Sequence, residues 1–84
     1  MTIKEFIKRE KENNNRIGFA IENIFDSLKK EKNILDIANT YKYELVGMIR
    51  GLYYVDYISK DEYFDLFDDI QHEHYEVIKN ILHI

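Results

Sequence analysis

The residues of this chain with the most evident chemical potential are its histidines and the carboxylates around them. His72 and His74 flank Glu73, and a spacing of two residues puts their rings on different sides of a helix. Asp68, His72 and Glu76 do share one side at four-residue spacing and could hold a metal ion weakly. A tight metal site needs more ligands than this single row supplies, so we predict no metal.

The other signatures of catalysis are missing from the sequence. Asp69 and His72 have the spacing of one half of a di-iron bundle site, but such sites need a second pair and two further glutamates. The chain has no cysteine, no glycine-rich phosphate loop and only two serines, of which Ser59 is better explained as a helix cap. We therefore expect no enzymatic activity, no metal and no cofactor.

The charge is unevenly distributed along the chain. The formal net charge is −4, yet residues 1–33 carry +2 and residues 34–84 carry −6. Residues 61–76 contain seven acidic and no basic side chains. Six of these carboxylates form what we call the acidic face, and we predict that it binds a partner: Asp61, Asp65, Asp68, Asp69, Glu73 and Glu76.

The spacing of the acidic face indicates what that partner could be. Helix positions four apart are about 6 Å apart, which is close to the spacing of phosphates along a nucleic acid strand. Such a helix could occupy a basic groove of a nuclease or nucleoprotein complex, drawn in by charge. The alternative is a solvated surface, or one that meets the basic first helix. The negative charge argues against direct nucleic acid binding by this chain.

The middle of the chain has a second apolar side beyond its core stripe. Tyrosine and arginine are enriched in interface hot spots, and the spacing of Gly47 and Gly51 permits close helix approach. The alternative is that these glycines accommodate a large aromatic side chain from a neighbouring helix. We call this side the tyrosine face and predict that it contacts a partner or forms a homodimer: Tyr43, Gly47, Arg50, Tyr54 and Tyr57.

The elements that position these residues are helices, because apolar residues recur at three- and four-residue spacing and no proline interrupts them. The first helix begins after Thr2, which forms a capping-box pattern with Glu5. It crosses the run Asn13, Asn14 and Asn15, which is a poor helix interior. One continuous helix is slightly favoured over two pieces, because Glu12 and Arg16 can pair across the run.

Two further helices follow. The second begins near residue 34 with Asn33 as its cap and reaches about Tyr57. The third begins after Ser59, which with Glu62 forms a second capping box, and Ile58 with Tyr63 adds a hydrophobic staple. The predicted fold is all-α: a small antiparallel three-helix bundle over residues 1–84 as one domain, either monomeric or dimeric.

The composition and the two faces together predict a binding role. Nine lysines against three arginines, with thirteen isoleucines, indicate an AT-rich coding source such as a low-GC bacterium, its phage or a plasmid. Such elements encode short acidic inhibitors of anti-CRISPR, anti-restriction and immunity type. We expect an inhibitor of this kind, in the cytoplasm of a bacterium or phage-infected cell, with no membrane association. The alternative is a self-associating structural or regulatory helical module without an inhibitory role.

Overall fold

A computed structural model describes residues 1–84, and every regular element in it is an α-helix. The helices are α1 (Ile3–Glu12), α2 (Arg16–Lys30), α3 (Leu35–Tyr54) and α4 (Lys60–Leu82). The predicted all-α class is confirmed. The predicted three-helix bundle is wrong in its helix count, because the first predicted helix is two helices.

The chain reverses between α1 and α2 at three consecutive asparagines. Asn14 takes a φ of 54°, a left-handed conformation that asparagine tolerates better than most residues. The side chain of Asn15 then accepts a hydrogen bond of 3.2 Å from the Ile17 N–H and caps the first turn of α2. The expectation of one continuous helix across Asn13, Asn14 and Asn15 is therefore wrong.

A glycine lets α2 fold back closely onto α1. A Cβ atom at Gly18 would lie 2.8 Å from the Cβ of Glu10 and 2.9 Å from the backbone nitrogen of Lys11. Only glycine fits at that distance. The Glu12–Arg16 ion pair, which favoured a continuous helix, is absent from the structure. Such a pair stabilises a helix by only about 0.2–0.5 kcal/mol, which is too little to outweigh a buried helix contact.

Both predicted capping boxes are confirmed. The Thr2 hydroxyl accepts from the Glu5 N–H at 3.1 Å, and the Ser59 hydroxyl accepts from the Glu62 N–H at 3.1 Å. Glu62 also accepts a hydrogen bond of 2.8 Å from Arg9, which joins α1 to the start of α4. This contact with Arg9 is the main reason that the pKa of the Glu62 carboxyl lies below its usual range.

The start of α3 differs from the prediction. Asn33 is not its cap, because the helix begins one residue later, with Ile34 in the cap position and no side-chain cap. The carboxylate of Glu31 instead accepts from the backbone N–H groups of Lys32, Asn33 and Ile34, at 3.1–3.4 Å. A flexible carboxylate at the end of α2 thus satisfies the connecting backbone that the asparagine was expected to cap.

The connection between α3 and α4 is a tight turn. α3 ends at Tyr54, and Asp56 takes a φ of 61° just after it. The N–H groups of Tyr57 and Ile58 both donate to the carbonyl of Leu52, at 2.9 and 3.4 Å. Tyr57 therefore lies in the turn, not on the helix as predicted.

One hydrophobic core holds the four helices, which pack chiefly as two pairs, α1 with α2 and α3 with α4. The molecule measures 38 × 23 × 18 Å. The two residues of the predicted staple are both part of the core. Its buried apolar residues are Ile3, Phe6, Ile7, Ile21, Phe25, Leu28, Ala38, Leu45, Val46, Ile49, Leu52, Ile58, Tyr63, Leu66, Ile70 and Val77.

Candidate functional site

Part of the acidic face is occupied by the chain itself. Asp69 accepts a hydrogen bond of 2.7 Å from the Ile3 N–H, and Asp65 lies 3.1 Å from the amino group of Met1. The hydrogen bond to Asp65 is the main reason that the pKa of the Met1 amino group is raised. These two carboxylates stabilise the first turn of α1, where unpaired N–H groups favour negative charge. Asp65 and Asp69 therefore follow the alternative given above, in which the acidic surface meets the first helix.

The other four carboxylates of the acidic face have no hydrogen bond or ion pair with the N-terminal residues. Asp61 and Asp68 are exposed and have no ion-pair partner in the chain. Glu73 is half-buried and also without an ion pair, while Glu76 lies 3.5 Å from Lys79 on the next helical turn. From the first of these carboxylates to the last, the row extends about 22 Å along α4.

A shallow depression lies where α4 meets the N-terminus. Its volume is about 370 Å³, and three carboxylates and one imidazole line it beside the terminal amino group: Met1, Thr2, Asp65, Asp68, Asp69 and His72. The row of Asp68, His72 and Glu76 does not close into a metal site. No group of three histidine, aspartate or glutamate side chains converges anywhere in the chain in a way that could hold a metal ion.

The basic residues of the N-terminal third border a larger cleft between α1 and α2. It has a volume of about 460 Å³ and is lined by Lys4, Ile7, Lys8, Lys11, Glu12, Glu22, Phe25, Asp26 and Lys29. Lys11 is neutralised there by Glu22, at 2.9 Å. The remaining charges are three lysines and two carboxylates, a net of +1, so the cleft offers no strong preference for an anion or a cation.

The tyrosine face lies on the side of α3 that points away from the core. Tyr43 is 66% exposed and Tyr54 is 72% exposed, and Arg50 is exposed between them. The structure brings these residues together with Gly47, because all four recur at helical spacing. An aromatic surface of this kind is more than a scattered exposed residue, and it marks α3 as a candidate interaction site.

The glycines of this face have no packing role inside the chain. A Cβ atom at Gly47 or at Gly51 would meet nothing within 4 Å. The alternative in which these glycines accommodate an aromatic side chain of a neighbouring helix is therefore wrong. A depression of about 420 Å³ opens beside them, and its lining is mixed: Lys42, Tyr43, Val46, Gly47, Arg50 and Phe67.

Arg50 is held loosely. Its Nε atom is 3.5 Å from the hydroxyl of Tyr63, which is a long contact. Tyr63 in turn stacks on Tyr53, with ring centroids 5.0 Å apart. The guanidinium group therefore keeps donors free for a further partner.

Tyr57 lies in the turn after α3, whereas the other members of the tyrosine face lie on the helix itself. Its hydroxyl accepts a hydrogen bond of 2.7 Å from the side chain of Asn15, which ties the two turns together. The Glu10 carboxylate beside this hydroxyl is the main reason that the pKa of Tyr57 is raised, although the two groups form no hydrogen bond of regular geometry. Tyr57 is thus held at its hydroxyl while the residue remains 45% exposed, and its role at an interface stays a prediction.

Glu10 is the residue that sequence reasoning missed. It is only 1% exposed, and its Oε1 atom has no hydrogen-bond partner. The signal was present, because Ile3, Phe6, Ile7 and Glu10 continue the spacing of one buried helix face. Because residues 8–16 contain no apolar side chain, the apolar face of α1 was read as ending at Ile7, before Glu10.

His74 lies at the edge of the core. It is half-buried, and its Nε2 atom is 2.7 Å from the side-chain oxygen of Asn39. Burial, and then the charge of Lys42, lower the pKa of His74. The residue has a structural partner and is not placed to act on a substrate.

The fold places these features on a small all-helical protein. None of its helices is both long enough and apolar enough to cross a lipid bilayer. Comparison with known protein families, curated proteins and solved structures finds no match to this chain.

Proposed function

We propose that this protein is a small helical binding protein that acts as an inhibitor or antagonist. In this proposal the free part of the acidic face, on α4, occupies a basic surface of a larger protein, and that surface normally holds nucleic acid. The partner is a nuclease or a nucleoprotein complex. The protein blocks it by charge mimicry and performs no chemistry of its own.

The observation that carries this proposal is the pair Asp61 and Asp68. Both carboxylates are exposed, and no cation of the chain pairs with either. The helix that carries them is held at its start by a capping box and by the Arg9–Glu62 contact, so the carboxylates are presented on a rigid support. Charge presented in this way favours fast association with a basic partner and makes that association sensitive to salt.

The type of protein follows from the same features together with the composition. A short acidic chain from an AT-rich source fits inhibitors encoded by phages and other mobile elements, of anti-CRISPR, anti-restriction or immunity type. Its place of action in this proposal is the cytoplasm of a bacterium or of a phage-infected host cell.

The test is capture of purified DNA-targeting enzymes, namely restriction endonucleases and CRISPR effector complexes, on the immobilised protein. The double variant Asp61→Lys/Asp68→Lys should lose capture. The matched control is Glu12→Lys/Asp26→Lys, which makes the same charge change at exposed positions of α1 and α2 and should retain it. Capture should also fall steeply between about 50 and about 500 mM salt. Equal capture by both double variants would contradict the role of the acidic face.

A second candidate function is a structural or regulatory module that acts by self-association. The observation that favours it is the open space at Gly47 and Gly51, between the exposed rings of Tyr43 and Tyr54. Molecular mass in solution tests this candidate. A protein that stays monomeric at high micromolar concentration would rule it out.

A further inference from the structure

The depression beside Gly47 differs in charge from the other two depressions on the surface. Two of its six lining residues are cations, Lys42 and Arg50, and none is acidic. By contrast, three carboxylates line the depression at the N-terminus, and the cleft between α1 and α2 combines four lysines with three carboxylates. The depression beside Gly47 is therefore the only one of the three whose lining charges all have the same sign.

Positive charge of this kind is unexpected in the C-terminal part of the chain. Residues 34–84 contain ten acidic and only four basic side chains. Two of the four basic side chains line the depression, whereas none of the ten acidic ones does. A concave site lined by one sign of charge raises the local concentration of ligands of the opposite sign. The depression therefore favours an anion.

Neither cation has an ionic partner within the chain. Lys42 and Arg50 form no ion pair with any carboxylate. The ammonium group of Lys42 lies 5.2 Å from the ring centroid of Tyr43, and the guanidinium group of Arg50 has only its long contact with the hydroxyl of Tyr63. The charge of Lys42 also lowers the pKa of His74, and no carboxylate offsets this effect. Both cations thus remain available to a ligand.

The rest of the lining is apolar. Tyr43 and Phe67 contribute aromatic rings, Val46 contributes a buried side chain, and Gly47 contributes bare backbone. A Cβ atom at Gly47 would meet nothing within 4 Å, so the space beside this backbone is open. The volume of about 420 Å³ lies in the range of small-molecule sites, which combine apolar walls with a few polar groups.

We propose that this depression, between α3 and α4, binds a small aromatic anion. The anionic group pairs with Lys42 and Arg50, since both side chains donate charge-assisted hydrogen bonds to such groups. The aromatic body lies on Val46 and Gly47 and contacts the ring of Phe67. The site makes no use of the acidic face, so this inference is independent of the proposed inhibitor function.

The expected affinity is low, because the depression is open to solvent. An aromatic carboxylate of about 13 non-hydrogen atoms should bind with a dissociation constant on the order of 1 mM. The net charge of −4 repels anions from the protein as a whole. A preference for an anion over a neutral molecule of the same shape therefore reports on the local charge of the site.

The experiment is a titration of the natural chain, followed through its backbone amide resonances by NMR. Three probes of similar shape are compared: the naphthoate anion, neutral naphthamide and the naphthylmethylammonium cation. Naphthoate should shift the resonances of residues 42–50 and of Phe67. Naphthamide should bind at least about threefold more weakly, and the cation should not bind measurably.

Charge variants test the two cations. Lys42→Gln and Arg50→Gln should each weaken the binding of naphthoate by about threefold to fivefold, with a smaller effect on naphthamide. Lys30→Gln is the matched control, because Lys30 is exposed on α2 and lines none of the three depressions. This control should bind naphthoate as the natural chain does.

A pair of glycine variants separates binding from folding. Gly47→Leu and Gly51→Leu each add a good helix former where the chain has open space, so each should raise Tm by roughly 2–8 °C. Gly47 lines the depression and Gly51 does not. Only Gly47→Leu should therefore lose the binding of naphthoate. A variant that is more stable yet binds less cannot be explained by misfolding.

Each contrary outcome overturns a stated part of the proposal. The absence of shifts up to about 10 mM naphthoate overturns the site as a whole. Equal binding of naphthoate and naphthamide overturns the role of the cations, and shifts confined to the cleft between α1 and α2 overturn the location. Tighter binding of an acidic tripeptide at the same residues identifies a protein segment as the occupant, and shifts in α3 that grow with protein concentration alone identify a second copy; either result overturns the small anion.

Discussion

Replacing Glu10 by methionine should make this protein more stable. Glu10 is 1% exposed, and one of its carboxylate oxygens has no hydrogen-bond partner. Methionine keeps the unbranched shape and the helix propensity of glutamate, while it removes the charge and both oxygens. The substitution therefore tests what the buried carboxylate costs, with little change in packing volume.

Two opposing effects set the size of the gain. A buried polar atom without a partner costs about 1–3 kcal/mol, and more if it is charged. The carboxylate also lies beside the hydroxyl of Tyr57, and because the two groups form no hydrogen bond of regular geometry, the loss of that contact costs no more than about 1 kcal/mol. The central values differ by about 1 kcal/mol, so we expect a gain of about 1 kcal/mol at pH 7, which corresponds to a rise in Tm of about 4–8 °C for a chain of this length.

The assay is thermal and denaturant unfolding followed by circular dichroism. Glu12→Met is the matched control, because it makes the same substitution two residues later at an exposed position of α1. Its stability should change by less than about 0.5 kcal/mol. Removal of the Glu10 carboxylate should also lower the pKa of Tyr57, since that carboxylate is the main cause of its rise, and ring resonances in an NMR titration report this.

If Glu10→Met lowers Tm while Glu12→Met leaves it unchanged, the buried carboxylate is a net stabilising partner of the two turns. The assignment of an uncompensated buried charge would then be wrong.

Three further predictions concern stability. Gly18→Ala should destabilise the fold by about 1–3 kcal/mol, because the new methyl group would lie within 3 Å of α1. Gly47→Ala, where the added methyl group meets nothing, should stabilise it by up to about 1 kcal/mol. Equal effects of the two substitutions on urea unfolding would refute the close contact at Gly18. The pKa of His74 is lowered in the folded chain, so the contribution of neutral His74 to the free energy of unfolding is full above the unfolded pKa of 6.5 and falls as pH drops below it. His74→Gln should flatten that pH dependence, and an unchanged profile would contradict the assignment. Asp69→Ala removes the acceptor of the Ile3 N–H and should cost about 1–2 kcal/mol and increase amide exchange at the start of α1.

The features that depend only on residues close in sequence were predictable, namely the helix caps and the apolar faces of the helices. The capping boxes at Thr2 and Ser59 each lie within four residues of sequence, so their hydrogen bonds do not depend on the rest of the fold. The apolar spacing of α3 and α4 was equally local. These features determined the helical class and the start of α4 correctly.

The break at Asn14 could not be decided by local rules. The Glu12–Arg16 pair would stabilise a continuous helix by only about 0.2–0.5 kcal/mol, and asparagine tolerates the left-handed conformation better than most residues. The packing of α2 on α1 therefore decides between one helix and two. That packing depends on Gly18, whose role becomes visible only once Glu10 lies against it. The partners of Asp65 and Asp69 were not predictable for the same reason, because they lie more than 60 residues away in the sequence.

The central claim is that the acidic face of α4 occupies a site that otherwise holds nucleic acid. The most direct measurement is whether a captured partner can bind its nucleic acid and this protein at the same time, followed by analytical size exclusion at low salt. Binding should be mutually exclusive, so that a partner already loaded with nucleic acid does not bind this protein. The Asp61→Lys/Asp68→Lys variant should fail to compete with the nucleic acid. A stable ternary complex of partner, nucleic acid and this protein would contradict it.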